Sequence, residues 1–161
     1  MTSALLPHLT RFTEFINSGD VTIGKEVISP NATFHVPFGG PPLQGKSQLY
    51  STYIQHTLTP SLHLLGLGGY LQILGMMRSA FPDIQWTIKE TIAEGDKIVC
   101  RFETRGTHNG PFMGVAPTGK SICMTALNIY RFENGQIVEE LGQPDIFGLM
   151  VQIGAIPVPG P

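Results

Sequence analysis

Charge is scarce in this chain, and so are cysteine and uninterrupted apolar sequence. Only 14% of its 161 residues are Asp, Glu, Lys or Arg, with a net charge of −2. That balance excludes the basic face with which proteins grip nucleic acid or an anionic membrane surface. A small hydrophobic ligand suits such a chain better. The two cysteines, Cys100 and Cys123, lie in strand-like runs. A pair cannot build a disulfide framework, and no zinc-type His/Cys spacing accompanies them, so they read as small apolar residues. The histidines His8, His35, His56, His63 and His108 are scattered without ligand spacing, so no metal is expected. Gly66-Leu67-Gly68-Gly69 and Gly119-Lys120-Ser121 lack the strand-turn-helix context and glycine spacing of a phosphate loop, so no nucleotide is expected. Met1 to Pro7 has no basic n-region and no sustained apolar h-region, which predicts a cytoplasmic protein. The most apolar stretch, Leu58 to Met77, is interrupted by Pro60, His63, Gln72 and four glycines. It is too polar and broken for a spanning helix of about 20 apolar residues.

What is present is the pattern of one domain over residues 1–161, with 154–161 as a frayed tail. Leu5, Leu9, Phe12, Phe15 and Ile16 follow helical spacing, and Asn17-Ser18-Gly19-Asp20 supplies a stop and a fresh N-cap. A second short helix is predicted over Val21 to Val27, then a strand from Ala32 to Val36, a proline-rich loop, and a helix capped by Ser47. The apolar Leu58 to Met77 element follows, with Met76 to Phe81 as a helical turn closed by Pro82-Asp83. From there the chain alternates with period 2: Ile84 to Ile92, Ile98 to Thr107, Ser121 to Phe132 and Ile137 to Leu141, with turns at Gly95-Asp96 and Asn134-Gly135. Helices first and a four-stranded antiparallel meander last predict an α+β fold.

The connections of this second half carry a resemblance. Gly106-Thr107-His108-Asn109-Gly110-Pro111-Phe112-Met113-Gly114, then Pro117-Thr118-Gly119-Lys120, Asn134-Gly135 and Pro144-Asp145-Ile146-Phe147-Gly148-Leu149 resemble the SnoaL-like polyketide cyclases of the nuclear transport factor 2-like superfamily. The resemblance implies three N-terminal helices packed across a strongly curved antiparallel sheet that forms a cone open at one end. It also implies a ligand pocket in the cone, chemistry that moves a proton next to a carbonyl, and homodimerisation through the outer sheet face. Relative to the family pattern the chain is longer by about one helix between Tyr53 and Met77. That segment reads equally as a lid or as a dimer contact.

Alternation assigns the pocket-facing side chains. Cys100, Phe102, Thr104 and His108 form the less charged face of one strand, and Ile122, Met124, Ala126, Asn128, Tyr130 and Phe132 that of the next; Trp86 lies with Ile84 and Ile88. In Ile137 to Gly142 both faces hold apolar residues, and periodicity does not decide. Here the resemblance implies that 128, 140 and 142 face inward. It also exposes a departure: the family's catalytic aspartate falls at Gly142 and its partner histidine at Asn128.

Glu140 is two residues from Gly142 and so on the same face, where it would supply the missing acid/base; alternatively it faces solvent beside Glu139. Asn128 would donate to an oxyanion or satisfy buried backbone, and Tyr130 would donate a proton or bind an oxygen. His108 would orient a carbonyl or act as a base near neutral pH, or else cap the loop from Asn109 to Gly119. The expected catalytic set is Glu140, Asn128, His108 and Tyr130. The expected substrate-binding set is His35, Trp86, Phe102, Phe112, Met113 and Asp145. Alternatives stay open for three of these: a half-buried structural histidine at His35, a loop anchor at Phe112-Met113, and an N-cap at Asp145. The faces of Tyr50, Tyr53 and Tyr70 cannot be assigned. The function expected is a cofactor-independent cyclase or isomerase acting on a hydrophobic, oxygenated secondary metabolite. An epoxide hydrolase or dehydratase on the same fold, and a non-catalytic binding or dimerisation module, are the alternatives.

Overall fold

The computed structural model describes residues 4–36 and 62–157. The helix expected from Ser47 and the start of the Leu58 element lie outside the described residues. Helix α1 (Leu6–Ser18) buries Leu9, Phe12, Phe15 and Ile16, the residues whose spacing marks one face. It stops where Gly19 turns left-handed at φ 72° and its N–H bonds the Phe15 carbonyl. The Asp20 carboxylate then accepts the Thr22 N–H at 2.8 Å and caps α2 (Val21–Val27).

Strand β1 (Ile28–Val36) follows α2 without a loop. It starts earlier than the Ala32 expected, because Ile28 already pairs with Ile137; the irregular stretch before Thr33 accommodates Pro30, which has no N–H to donate. Strand β2 (Leu62–Leu65) pairs with β1, and the chain turns at Gly66 into α3 (Gly66–Ala80). Gly66 adopts φ 57°, and a Cβ there would sit 2.5 Å from the Pro30 carbonyl oxygen, so this corner requires glycine.

The expectation of a separate helical turn from Met76 is corrected: one helix runs from Gly66 to Ala80. Its interior glycines, Gly68, Gly69 and Gly75, read as breakers in isolation, since each costs about 1 kcal/mol in a helix interior. Burial of Tyr70, Ile73, Leu74, Met77 and Ala80 along one stripe overrides that penalty.

Strands β3 (Gln85–Glu94), β4 (Lys97–Thr107), β5 (Ser121–Glu133) and β6 (Gln136–Pro144) form the expected meander, and α4 (Ile146–Gln152) closes the described chain. Asn134 and Gly135 both have positive φ, which suits the tight β5–β6 turn. The six strands make one curved sheet in the order β2-β1-β6-β5-β4-β3, antiparallel throughout except where β1 runs parallel to β6.

Two irregularities shift the alternation. In β3 the register skips Lys89, and beyond it Ile92 is left 67% exposed. In β6 it skips Val138, so that Ile137 and Glu140, of opposite parity, both face inward. This bulge is why the period of β6 could not be read from sequence.

Helices α1 and α3 fill the concave side. Tyr70 packs edge-on to Phe12 at 5.3 Å and against Phe34 at 4.7 Å, while Phe12 meets Tyr130 at 5.4 Å. No helix among the described residues is long and apolar enough to cross a membrane.

Candidate active site

The cone holds a pocket between α3 and the inner faces of β3 to β6. Its described lining comprises Ile16, Tyr70, Ile73, Leu74 and Met77 from the helices, and Trp86, Phe102, Met124, Ala126, Asn128, Tyr130, Glu140, Gly142 and Pro144 from the sheet. Up to and including its mouth it holds about 560 Å3 of empty space.

Glu140 is the sole carboxylate in that lining, and it is 2% exposed. Its Oε1 accepts hydrogen bonds from Asn128 Nδ2 at 2.8 Å and from the Tyr130 hydroxyl at 3.2 Å. Asn128 Nδ2 also donates to the Tyr130 oxygen at 2.9 Å. The register explains the triangle: Tyr130 lies directly opposite Glu140, and Asn128 opposite Gly142, on adjacent antiparallel strands. Glu140 Oε2 is buried with no hydrogen-bond partner among the described residues.

Burial pushes the Glu140 carboxyl up to about 8, and the Tyr130 bond offsets this only in part. Burial first, and the Glu140 charge second, hold the phenols of Tyr130 and Tyr70 well above their usual value. Cys100, opposite Asn128 on β4, is pushed up to about 12 by burial. At neutral pH the site therefore presents a protonated carboxyl held by two neutral groups.

Of the expected catalytic residues, Glu140, Asn128 and Tyr130 come together and His108 does not. His108 is fully buried at the far end of β4, where its ring lies 5.4 Å from Phe81, its Nδ1 meets Thr118 Oγ1 at 3.0 Å, and its backbone ties down Thr118, Gly119 and Lys120. Asn128 has both amide hydrogens engaged, and its Oδ1 accepts the Gln143 N–H at 3.3 Å, so as placed it orients Glu140 and offers no spare donor.

Of the expected substrate-binding residues, Trp86 and Phe102 line the pocket. Trp86 is fixed by a double clasp, in which Asn17 Nδ2 donates to its carbonyl and Asn17 Oδ1 accepts its N–H. The other four sit outside the described lining. His35 projects from β1 on the face opposite buried Phe34 and lies 3.8 Å from Glu139. Phe112 is buried against Phe81 at 5.3 Å, a loop anchor rather than a mouth residue, and Met113 packs beside the core at φ 46°.

Asp145 is exposed and caps α4 by accepting the Gly148 N–H at 2.8 Å. Replacing Asp145 by alanine is accordingly expected to lower stability by about 1 kcal/mol, seen as a lower thermal midpoint, with ligand affinity unchanged.

Sequence reading missed the helical wall. Tyr70, Ile73, Leu74 and Met77 recur at i, i+3, i+4 and i+7, a signal that was present but masked by the intervening glycines. Among the described residues no group of three or more His, Cys, Asp or Glu side chains could hold a metal ion.

The family model for SnoaL-like polyketide cyclase matches residues 49–153. Among solved structures, IdmH of Streptomyces antibioticus, a provisionally assigned polyketide cyclase, is 30% identical, with a TM-score of 0.74 over 94% of this chain and 99% of that one. AclR of Streptomyces galilaeus, a provisionally assigned hydroxylase, is 21% identical with a TM-score of 0.72 over 96% of this chain and 87% of that one, which speaks for the fold alone. TsrD of Streptomyces laurentii shares the fold at 20% identity and a TM-score of 0.72, over 97% of this chain and 99% of that one. No curated protein sequence is significantly similar to the chain. With a family model spanning most of its length and a 30% identical relative of the same shape, the chain belongs to the SnoaL-like polyketide cyclases.

Proposed function

We propose that this protein is a cofactor-independent cyclase or isomerase that closes or rearranges a ring in a hydrophobic, oxygenated secondary metabolite. One observation carries the reading: the Glu140 carboxyl sits buried inside an apolar pocket, oriented by Asn128 and Tyr130, with one oxygen unpartnered among the described residues. Burying a carboxyl costs several kcal/mol unless it is hydrogen-bonded, and one oxygen of this one has no partner among the described residues. A carboxyl poised near neutral pH serves as a general acid toward a carbonyl and, once ionised, as a base toward an adjacent C–H. Gly142 at the place of the family aspartate leaves room beside it, so the acid/base enters from two residues earlier on the same face.

An epoxide hydrolase or dehydratase needs more carboxylates and an arginine around a water, and the described lining has a single carboxylate and no arginine. That favours the cyclase or isomerase reading. A binding module remains the outcome if no turnover responds to Glu140. The test is turnover of a polyketide-like substrate by the wild type and by Glu140→Gln.

The working unit is a homodimer formed through the outer sheet face. Ile129 and Leu141 are cross-strand neighbours there, Val99 lies beside Ile129, and Leu127 is 53% exposed. Arg101, Arg131 and Glu139 on neighbouring positions mix both signs, which suits a self-complementary two-fold contact. Leu127→Glu is expected to convert a dimer to a monomer in sedimentation equilibrium; a wild type that sediments as a monomer would remove the dimer from this account.

A further inference from the structure

We propose that Arg78 is a positioning residue of the pocket: without lining the pocket itself, its guanidinium fixes the Trp86 ring and so sets the wall that a ligand meets. The inference rests on the functional reading above only in taking this pocket as the ligand's place.

Trp86 stands where the sheet holds it least. It lies on β3, the last strand in the sheet order, and pairs on one side only, with Thr104 of β4. The other side of an edge strand offers unpaired N–H and C=O groups. At Trp86 both go to the Asn17 side chain, at 2.8 and 2.9 Å. That clasp fixes the main chain of Trp86 but acts on neither of its side-chain torsions.

Arg78 supplies the missing restraint. It follows Met77 on α3 and lies one turn beyond Leu74, both pocket-lining residues, yet it is not itself part of the described lining. Its guanidinium carbon lies over the Trp86 ring, 6.0 Å from the centroid, at the range of a cation–π contact. Its Nη2 donates to the carbonyls of Ile16 and Asn17, in the last turn of α1, where a helix leaves carbonyls without internal partners. Ile16 lines the pocket and Asn17 holds the Trp86 main chain, so one side chain ties α1, α3 and β3 together at this wall. Arg78 Nε is buried with no partner among the described residues, which leaves Nη2 and the ring contact as the described anchors of the group. Lysine would keep the charge but present a compact, strongly hydrated point in place of a planar, weakly hydrated group suited to a ring face.

Trp86 is the only tryptophan of the chain, so its fluorescence reports on this wall without any turnover. In the full-length wild type its anisotropy should decay with the tumbling of the whole molecule alone. Arg78→Lys and Arg78→Met are each checked for a native far-UV circular dichroism spectrum and measured well below their thermal midpoints. In both, a sub-nanosecond component of ring motion should enter the decay, and the acrylamide quenching constant of Trp86 should rise about threefold. Calorimetric titration with 2-naphthol, an uncharged flat-ring probe, should show affinity about fivefold weaker in both variants than in the wild type, because the ring must then be ordered on binding.

A lower thermal midpoint with unchanged Trp86 anisotropy would mean that Arg78 only stabilises the fold, and would overturn the proposal. Equal 2-naphthol affinity in wild type and variants, or no binding to the wild type, would overturn it too. Should neither variant fold, the wild type decides: a sub-nanosecond component there overturns the proposal, and its absence supports it. In Glu140→Gln the Trp86 signals should match those of the wild type. A failure here therefore leaves the catalytic reading standing, and undiminished turnover in Glu140→Gln would sink that reading and leave the role of Arg78 intact.

Discussion

Glu140→Gln is expected to lower turnover by about 10²- to 10⁴-fold, the usual contribution of one well-placed acid or base, with the fold retained. Glutamine fills the same space, and its Oε1 can still accept from Asn128 and Tyr130. Its Nε2 can polarise a carbonyl but cannot give up a proton. The substitution thus separates proton transfer from hydrogen bonding. Full turnover would mean that the pocket acts by shaping its substrate alone, whereas a loss in kcat with substrate affinity preserved assigns Glu140 the proton.

The wild-type pH profile should carry the same signature. If the acid form acts first, kcat declines above about pH 8, where burial has moved this carboxyl. If the base form acts first, kcat climbs across that range instead. Tyr130→Phe makes a useful companion, since it removes one donor to Oε1 and leaves the carboxyl in place. It should shift the profile to higher pH, because the bond from Tyr130 partly favours the ionised form. An unshifted profile would deny Tyr130 its role in tuning Glu140.

The second large effect is on stability. Glu140 titrates near 4.5 when the chain is unfolded and near 8 when folded. Between those values the native state holds a proton that the unfolded state has released, so stability falls as pH rises. The contribution is complete below about pH 4.5 and is gone above about pH 8. Relative to Glu140→Gln, which has no such group, the wild type should lose roughly 3 kcal/mol between pH 5 and pH 7.5, at close to 1.4 kcal/mol per pH unit. Every other titrating residue is common to the two proteins and cancels in the difference. Paired denaturant titrations at several pH values check this. A constant difference would show that Glu140 is not desolvated in solution, and the acid/base argument would fall with it.

The same glutamate shows how far local sequence reaches in this protein. The helix stripe of Leu9, Phe12, Phe15 and Ile16, the cap at Asp20, the turns at Gly95 and Asn134-Gly135, and the inward faces of β4 and β5 were all legible. Each depends on interactions within a few residues or on strict alternation, which local sequence encodes.

Three features depended on partners distant in the chain. The helix Gly66–Ala80 overcomes its glycines only because its apolar stripe finds the sheet, and Gly66 itself is explained by the carbonyl of Pro30. His108 matches a motif at the end of a strand, yet packing against Phe81 and the loop up to Lys120 turns it away from the carboxyl it was expected to assist. The bulge at Val138 exists only in the pairing of β6 with β5, and by shifting the alternation it puts both Ile137 and Glu140 inside. Sequence by itself determined the α+β order, the caps and the alternating faces, because local spacing suffices for them. The tertiary structure decided which titratable groups share one dry pocket, because desolvation and cross-strand register arise only when the sheet closes over its helices.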